Sequence, residues 1–207
     1  MEHGDPQVAR VEAVFNEWAR VGRADGMERR HGPFARRGFA WLELGAGDRY
    51  LDVGCGNGYT VRWAAAVDPS VRALGLDVAG EMIALAERMS AAHPNAGFLR
   101  DRFPSERLAD ASFDAIFSME ALYYLPDLDA ALAAIRRLLA PGGRFACVVD
   151  FFEEHEASRA WPDDLGVAMT RLSAAGWREA VARAGLEVAH QERVDQSLIT
   201  CARRAVA

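Results

Sequence analysis

Gly54, Gly56 and Gly58 occupy alternate positions in "YLDVGCGNGYT", residues 50–60, directly after an apolar run with the character of a buried strand. Glycines there allow a tight turn and leave main-chain N–H and C=O groups bare for a ligand. Their spacing is GxGxG: the third-glycine slot of the GxGxxG dinucleotide fingerprint falls on Tyr59, and no GK[ST] of a phosphate-binding loop follows. Three acids accompany the turn. Asp77 lies 19 residues beyond Gly58, a separation at which a carboxylate can accept both hydroxyls of an adenosine ribose. Asp101 ends a later apolar run, where it could accept the adenine amine. Asp52 precedes the turn and suits a cationic ammonium better than a pyrophosphate, which it would repel. Val78 and Met82 are spaced to set apolar atoms against an adenine face. A plainer structural reading stands beside each: Asp52 and Asp77 as helix caps, Met82 as helix core.

Alternating strands and helices must position these residues. The stretches "RYLDVG", "VRALGLD", "AGFLRD", "FDAIFSM" and "RFACVVDF" read as strands apolar on both faces. Between them, "YTVRWAAAV", "AGEMIALAERMSAAH" and "LDAALAAIRRLL" read as helices, the last stopped by Pro141-Gly142-Gly143. That order predicts parallel βαβ units, hence a doubly wound α/β fold with helices on both faces of the sheet. Its ligand crevice belongs at the carboxyl ends of the strands, where the glycine turn sits. Ahead of this core, Asp5-Pro6 opens an amphipathic helix with Val8, Val11, Phe15 and Trp18 on one face, and a second helix is expected from about Phe34 to Leu44, after the breaker Gly32-Pro33. Beyond the core, Ser173 caps another helix. The strands "LEVAHQERV" and "SLITCARR" then lie too close in sequence for a parallel crossover and must run antiparallel.

At 207 residues, 51% of them hydrophobic, the chain fits one globular domain. The net charge of −6 disfavours a nucleic-acid partner, and every one of the 24 basic residues is arginine. Three widely spaced cysteines, Cys55, Cys147 and Cys201, support neither a disulfide framework nor a metal site. "MEHGDPQVAR" lacks a signal-peptide pattern, and no apolar run approaches the roughly 20 residues of a membrane span. A cytoplasmic protein, monomer or homodimer, without a membrane partner is the expectation.

The blocks "LDVGCGNG", "LGLDVAGEM", "FLRD", "FDAIFSMEALYYLPD" and "IRRLLAPGGRF", in this order over about residues 49–150, resemble the class I S-adenosylmethionine-dependent methyltransferases, within them the short enzymes that act on small molecules. The resemblance implies a seven-stranded, mainly parallel sheet of order 3-2-1-4-5-7-6 with strand 7 antiparallel. It implies a helical cap over 1–46, a cofactor-binding core over 47–150, and a lid segment, helix and hairpin over 151–207. It also implies that Gly54, Gly56 and Gly58 contact the methionine part of S-adenosylmethionine, with Asp52 near the ammonium and Asp77 on the ribose. Val78 and Met82 would flank the adenine, Asp101 with the Arg102 backbone would take its edge, and Ser118 would floor the sulfonium.

Methyl transfer from a sulfonium needs alignment in a water-poor pocket, and a base only where the nucleophile arrives protonated. The chain lacks the [DNS]PP[YF] motif of amide and nucleobase N-methyltransferases, having Ser118-Met119-Glu120-Ala121 there, which favours a small-molecule acceptor at O, N or C. Candidate groups at the acceptor are Glu120, Tyr124, His31 and His155. The arginine-rich stretch 20–37 and the acidic stretch 150–164 are expected either to meet as a lid or to stand apart as solvated faces. A nicotinamide-linked oxidoreductase, and a cofactor-binding sensor or partner subunit without turnover, are the competing readings.

Overall fold

The computed structural model describes residues 5–206; the outermost ends of the expected cap and closing segment lie outside the described residues. Seven strands form one sheet: β1 Arg49–Val53, β2 Arg72–Asp77, β3 Ala96–Arg100, β4 Phe113–Met119, β5 Leu139–Val149, β6 Glu187–Val194 and β7 Ser197–Arg203. Their order is β3-β2-β1-β4-β5-β7-β6. The first five pair in parallel, and β7 runs antiparallel between β5 and β6.

The unbroken apolar character of the central strands has a direct cause in the period-two alternation of side chains. Leu51, Val53, Ile116, Phe145 and Cys147 point to one face, where they meet Leu132 and Ile135 of α5 (Leu128–Leu138) and Trp177 and Val181 of α7 (Ala174–Arg183). Tyr50, Ala115, Phe117, Ala146 and Val148 point to the other face, against α2 (Met27–Trp41) and α3 (Tyr59–Ala65). Caps set the helix starts: Asp127 accepts the Ala130 N–H at 2.8 Å and Ser173 accepts the Gly176 N–H at 3.0 Å.

α1 (Pro6–Arg20) is the expected amphipathic helix, with Asp5 accepting the Gln7 N–H at 2.8 Å. It crosses the carboxyl edge of the sheet and is tied to α4 (Gly80–Met89) by the Glu81 N–H on Asn16 Oδ1 at 2.9 Å, and to β3 by Arg100 on Glu12 at 2.7 Å.

Two boundaries differ from expectation. α2 begins at Met27 and carries Gly32 and Pro33 inside it. Packing outweighs the breaker: a Cβ on Gly38 would lie 3.1 Å from Val148 and 3.3 Å from Phe117, and one on Gly32 would lie 3.7 Å from the Trp63 ring. Burying this face against the sheet holds the helix despite the proline. Pro141-Gly142-Gly143 does not stop α5, which ends at Leu138; the three residues form an irregular start to β5, where its register against β4 shifts. The short α6 (Trp161–Leu165) was not foreseen. Among the described residues no helix is long and apolar enough to cross a membrane, and Cys55, Cys147 and Cys201 are buried free thiols.

Candidate active site

A cavity of about 450 Å³ opens at the carboxyl ends of β1, β2, β3 and β4, beneath α1 and α6. Its floor is the turn between β1 and α3. Gly54 and Gly56 have φ of +76° and +51°, a region that L side chains rarely adopt. The Gly54 and Cys55 N–H groups both donate to the Leu76 carbonyl, at 2.8 and 3.0 Å, which fastens the turn to β2. A Cβ on Gly54 would sit 2.2 Å from the Ala121 Cβ, and one on Gly56 would sit 2.9 Å from Met27 Sδ. Both glycines line the cavity. Gly58 does not: its φ of +75° begins α3, and the space a side chain would need is filled by Phe98 and Ala86. Its glycine answers a packing demand.

Asp52, 2% exposed, lines the cavity beside this turn. Its Oδ2 accepts the Thr60 hydroxyl, and its Oδ1 has no partner. Desolvation pushes its pKa up to about 7, against the lowering effect of Thr60. Asp77, at the end of β2, accepts the Gly56 N–H on Oδ2 and the Ala79 N–H on Oδ1, each at 2.9 Å, so it shapes the turn as well as facing the cavity. Burial raises its pKa, with those two donors opposing. Asp101 accepts the Ser105 hydroxyl at 2.6 Å and the Arg102 N–H at 2.9 Å. That N–H, expected at an adenine edge, is engaged by its neighbour. Val78 and Arg102 border the cavity, but Met82 does not; it is fully buried against Ala24, Ala79 and Leu85, and Phe103 lines the cavity instead. Ser118 is also outside the lining, its hydroxyl donating to the Val53 carbonyl at 2.9 Å.

The other end of the cavity is aromatic. Phe15 packs edge-to-face on Trp18 and Tyr124, with centroids 5.1 and 5.3 Å apart, and Trp161 and Leu165 close the rim. Glu120, just past β4, reaches in from a backbone with φ of +56°. Its Oε2 accepts the Tyr123 hydroxyl at 2.7 Å and its Oε1 accepts the Asp150 N–H. Burial, then the Asp150 charge, holds the Glu120 carboxyl well above the usual range. Burial likewise raises Tyr124. His31 lines the cavity as a neutral imidazole, its pKa lowered to about 4 by burial and by Arg30. His155 lies outside the lining, with Nδ1 2.6 Å from the Asp150 carbonyl oxygen.

The arginine-rich and acidic stretches border the same cavity, through Arg23 and Arg30 on one side and Asp164 on the other, without pairing among the described residues. Arg20 pairs with Glu17 and Glu81, Arg36 with Glu28 and Arg37 with Glu192, while Glu154 accepts the Ala174 N–H and Glu156 pairs with Arg159. An electrostatic lid between the two is not formed. Sequence reasoning missed Tyr59, whose hydroxyl is buried, unpartnered and at the cavity wall. Its position directly after the third glycine was the available signal.

The residues present fit a nucleoside carrying an amino-acid end: an orphaned carboxylate oxygen for a cation, a floor of glycines without side chains, and two acids toward the next strands. Residues 51–147 match a family described as a methyltransferase domain. The chain is 38% identical over 110 residues to an O-methyltransferase, rstn1, of Aspergillus nomiae, covering 51% of this chain and 48% of that one. It is 35% identical over 113 residues to the S-adenosyl-L-methionine-dependent Diels-Alderase iccD of Talaromyces variabilis, covering 52% and 38%. The matched part thus spans about half or less of these curated relatives. A solved chain from Haloferax volcanii, a methyltransferase in complex with the Trm112 methyltransferase activator, superposes with a TM-score of 0.86 at 32% identity, covering 92% of this chain and 97% of that one.

Proposed function

We propose that this chain, which belongs to the class I S-adenosylmethionine-dependent methyltransferase family, methylates an oxygen, nitrogen or carbon nucleophile of a small molecule. The observation that carries this reading is the buried, unpartnered Asp52 oxygen at the glycine-turn end of a cavity whose other end is aromatic and holds Glu120. In it, Asp52 takes the cofactor ammonium, Gly54 and Gly56 the amino-acid backbone, and Arg23 or Arg30 the carboxylate. Asp77 takes the ribose, and Val78, Phe103 and Asp101 surround the adenine. When bound, the cofactor supplies an electrophilic methyl on a sulfonium whose departure needs no proton. The apolar walls exclude water, which strengthens every charge interaction inside. Glu120, held by the Tyr123 hydroxyl and the Asp150 N–H, is the group placed to take a proton from the acceptor. The cap over 1–46 and the segment from 151 onward act as covers of this core. Incubation with S-adenosylmethionine and a panel of hydroxyl, amine and carbon-acid acceptors, followed by mass spectrometry, should yield S-adenosylhomocysteine and a product one methylene heavier. Tight cofactor binding with no transfer to any acceptor would favour binding without turnover.

The Asp52 pKa of about 7 makes cofactor affinity pH-dependent. A cation prefers the ionised carboxylate, so S-adenosylhomocysteine affinity should fall by up to about tenfold per pH unit below 7 and level off above it. Calorimetry between pH 5.5 and 8.5 checks this, with Asp52→Asn expected to flatten the slope. The same group makes the ligand-free fold less stable as pH rises. Its folded pKa lies above its unfolded 3.8, so the native state holds the extra proton, and stability is lost from about 3.8 up to about 7. The loss amounts to about 4 kcal/mol at most.

A protein activator is a second proposal, motivated by the Haloferax volcanii relative found with Trm112. Co-expression with a Trm112-type protein should raise soluble yield or turnover; no change in either would remove it.

A further inference from the structure

We propose that Asn57 is a positioning residue: through the connector Arg23–Gly26 it sets Arg30 over the glycine turn, where Arg30 takes the carboxylate of the cofactor's amino-acid end. This role rests on the methyl-transfer reading above and deepens it. Asn57 is fully buried and does not line the cavity. Its Nδ2 donates to the Ala24 carbonyl at 2.8 Å, while its Oδ1 has no partner. A buried amide with one half unpaired costs stability. For packing alone an apolar side chain would serve better, so the use of Asn57 lies in the bond it makes to the connector.

That bond ends on a fixed element. Ala24 is fully buried and packs with Ala79, Met82 and Leu85, so the connector is held by α4 on one side and by the glycine turn on the other. The start of α2 is fastened to the same turn and to α3. Met27 Sδ fills the space that a Cβ on Gly56 would need, and Glu28 accepts the Trp63 indole N–H at 2.9 Å. Arg62, paired with Glu28 at 3.8 Å, donates to the Asn57 carbonyl at 2.7 Å.

Met27, Arg30 and His31 are three and four positions apart along α2, hence on one face of it, and all three line the cavity. Because Met27 covers Gly56, this is the face turned to the glycine turn. Arg30 Nη2 donates to the Arg23 carbonyl at 2.9 Å, and its Nη1 would lie 3.5 Å from a Cβ on Gly26, so the guanidinium is set against the connector that Asn57 holds. Burial first, and the Arg30 charge after it, keep His31 neutral. Among the described residues no carboxylate pairs with Arg30. Glu28, two residues before it, is engaged with Arg36, Arg62 and the Trp63 indole.

Arg23 is turned to the other end of the cavity: its Cζ lies 3.8 Å over the Trp18 ring, and its charge acts on Tyr124. Of the two arginines at the cavity, Arg30 is therefore the one left for the glycine turn. An amino-acid end carries two opposite charges. Asp52 of β1, with its unpartnered Oδ1, answers the ammonium, and Arg30 of α2 answers the carboxylate, whose geometry a planar guanidinium matches. Cofactor affinity then depends on a residue that the cofactor does not touch.

The test compares two ligands on the whole chain by calorimetry: S-adenosylhomocysteine, and 5′-methylthioadenosine, which keeps the nucleoside and the sulfur but lacks the amino-acid end. Arg30→Ala should weaken S-adenosylhomocysteine about tenfold and leave 5′-methylthioadenosine within about twofold. Asn57→Ala, and Asn57→Asp, which keeps the shape but removes the donor, should weaken S-adenosylhomocysteine about five- to tenfold and likewise spare 5′-methylthioadenosine. A general disturbance of the turn would behave differently: the Gly56 N–H holds Asp77 at 2.9 Å, and a loosened Asp77 weakens both ligands. Arg30→Ala combined with Asn57→Ala should match Arg30→Ala alone within about twofold, since without the guanidinium there is nothing left to place. Three results would each overturn the assignment: S-adenosylhomocysteine affinity unchanged in Arg30→Ala or in Asn57→Ala, equal losses for the two ligands, or losses that multiply in the double variant. Arg30 is exposed, so Arg30→Ala folds even where an Asn57 variant does not, and its two affinities alone can overturn the assignment. Loss of S-adenosylhomocysteine binding in the parent chain would instead overturn the methyl-transfer reading, and the assignment with it.

Discussion

Asp77→Ala should weaken S-adenosylhomocysteine binding by about 10²- to 10³-fold, the largest affinity loss expected from one substitution. Two effects add. In the proposed function the carboxylate takes two ribose hydroxyls, and hydrogen bonds to a charged group are worth about 1.5–3 kcal/mol each. It also accepts the Gly56 and Ala79 N–H groups at 2.9 Å, so its removal leaves two donors unpaired and the turn unpinned. Asp77→Asn should lose less, because its amide oxygen can still accept one of these bonds. Calorimetry on both variants, with circular dichroism to confirm folding, checks the ranking. An alanine variant within about threefold of the parent would remove Asp77 from the site.

Gly54→Ala should be the most damaging substitution of a single methyl group. The new Cβ would lie 2.2 Å from the Ala121 Cβ, against a short side chain with no rotamer by which to move away, and the residue would be held at φ of +76°. Left-handed strain costs about 1–2 kcal/mol and overpacking about 1–3 kcal/mol. Together these predict a Tm lower by about 10 °C in a chain of this size. Cofactor affinity should fall as well, since relief requires the turn to move away from β4. Gly97→Ala is the control: its Cβ would meet nothing closer than 3.8 Å, and its Tm should stay within about 2 °C.

These two positions mark what the sequence made legible. The sheet could be read because its central strands are buried on both faces, which forces unbroken apolar runs such as Ala115–Phe117, and because too few residues separate β6 from β7 for a crossover. That Asp52, Gly54, Gly56, Asp77 and Asp101 meet at one cavity was legible because the ends of successive parallel strands share one edge. What the sequence did not show depended on contacts between distant segments. Gly58 is a glycine because of Phe98, 40 residues later, and nothing near Gly58 reports this. Met82 shows helical periodicity, but periodicity tells which face is buried, not whether the burial is against core or cavity; Phe103 took the lining position instead. Ser118 points back to the Val53 carbonyl of the neighbouring strand, and His155 is drawn to the Asp150 carbonyl. Pro33 sits inside α2 because the sheet face beneath it rewards a continuous helix. The two charged stretches found nearer partners, Glu28 and Glu192 among them, before they could find each other.

The account stands on one ligand occupying the cavity from the glycine turn to Asp101. Its most direct test is calorimetric titration of the intact chain with S-adenosylhomocysteine, beside NADH at the same concentrations. The prediction is micromolar or tighter binding of S-adenosylhomocysteine at one site per chain, with NADH at least about a hundredfold weaker because Asp52 repels a pyrophosphate. Equal or tighter binding of NADH, or no binding of S-adenosylhomocysteine, would contradict it.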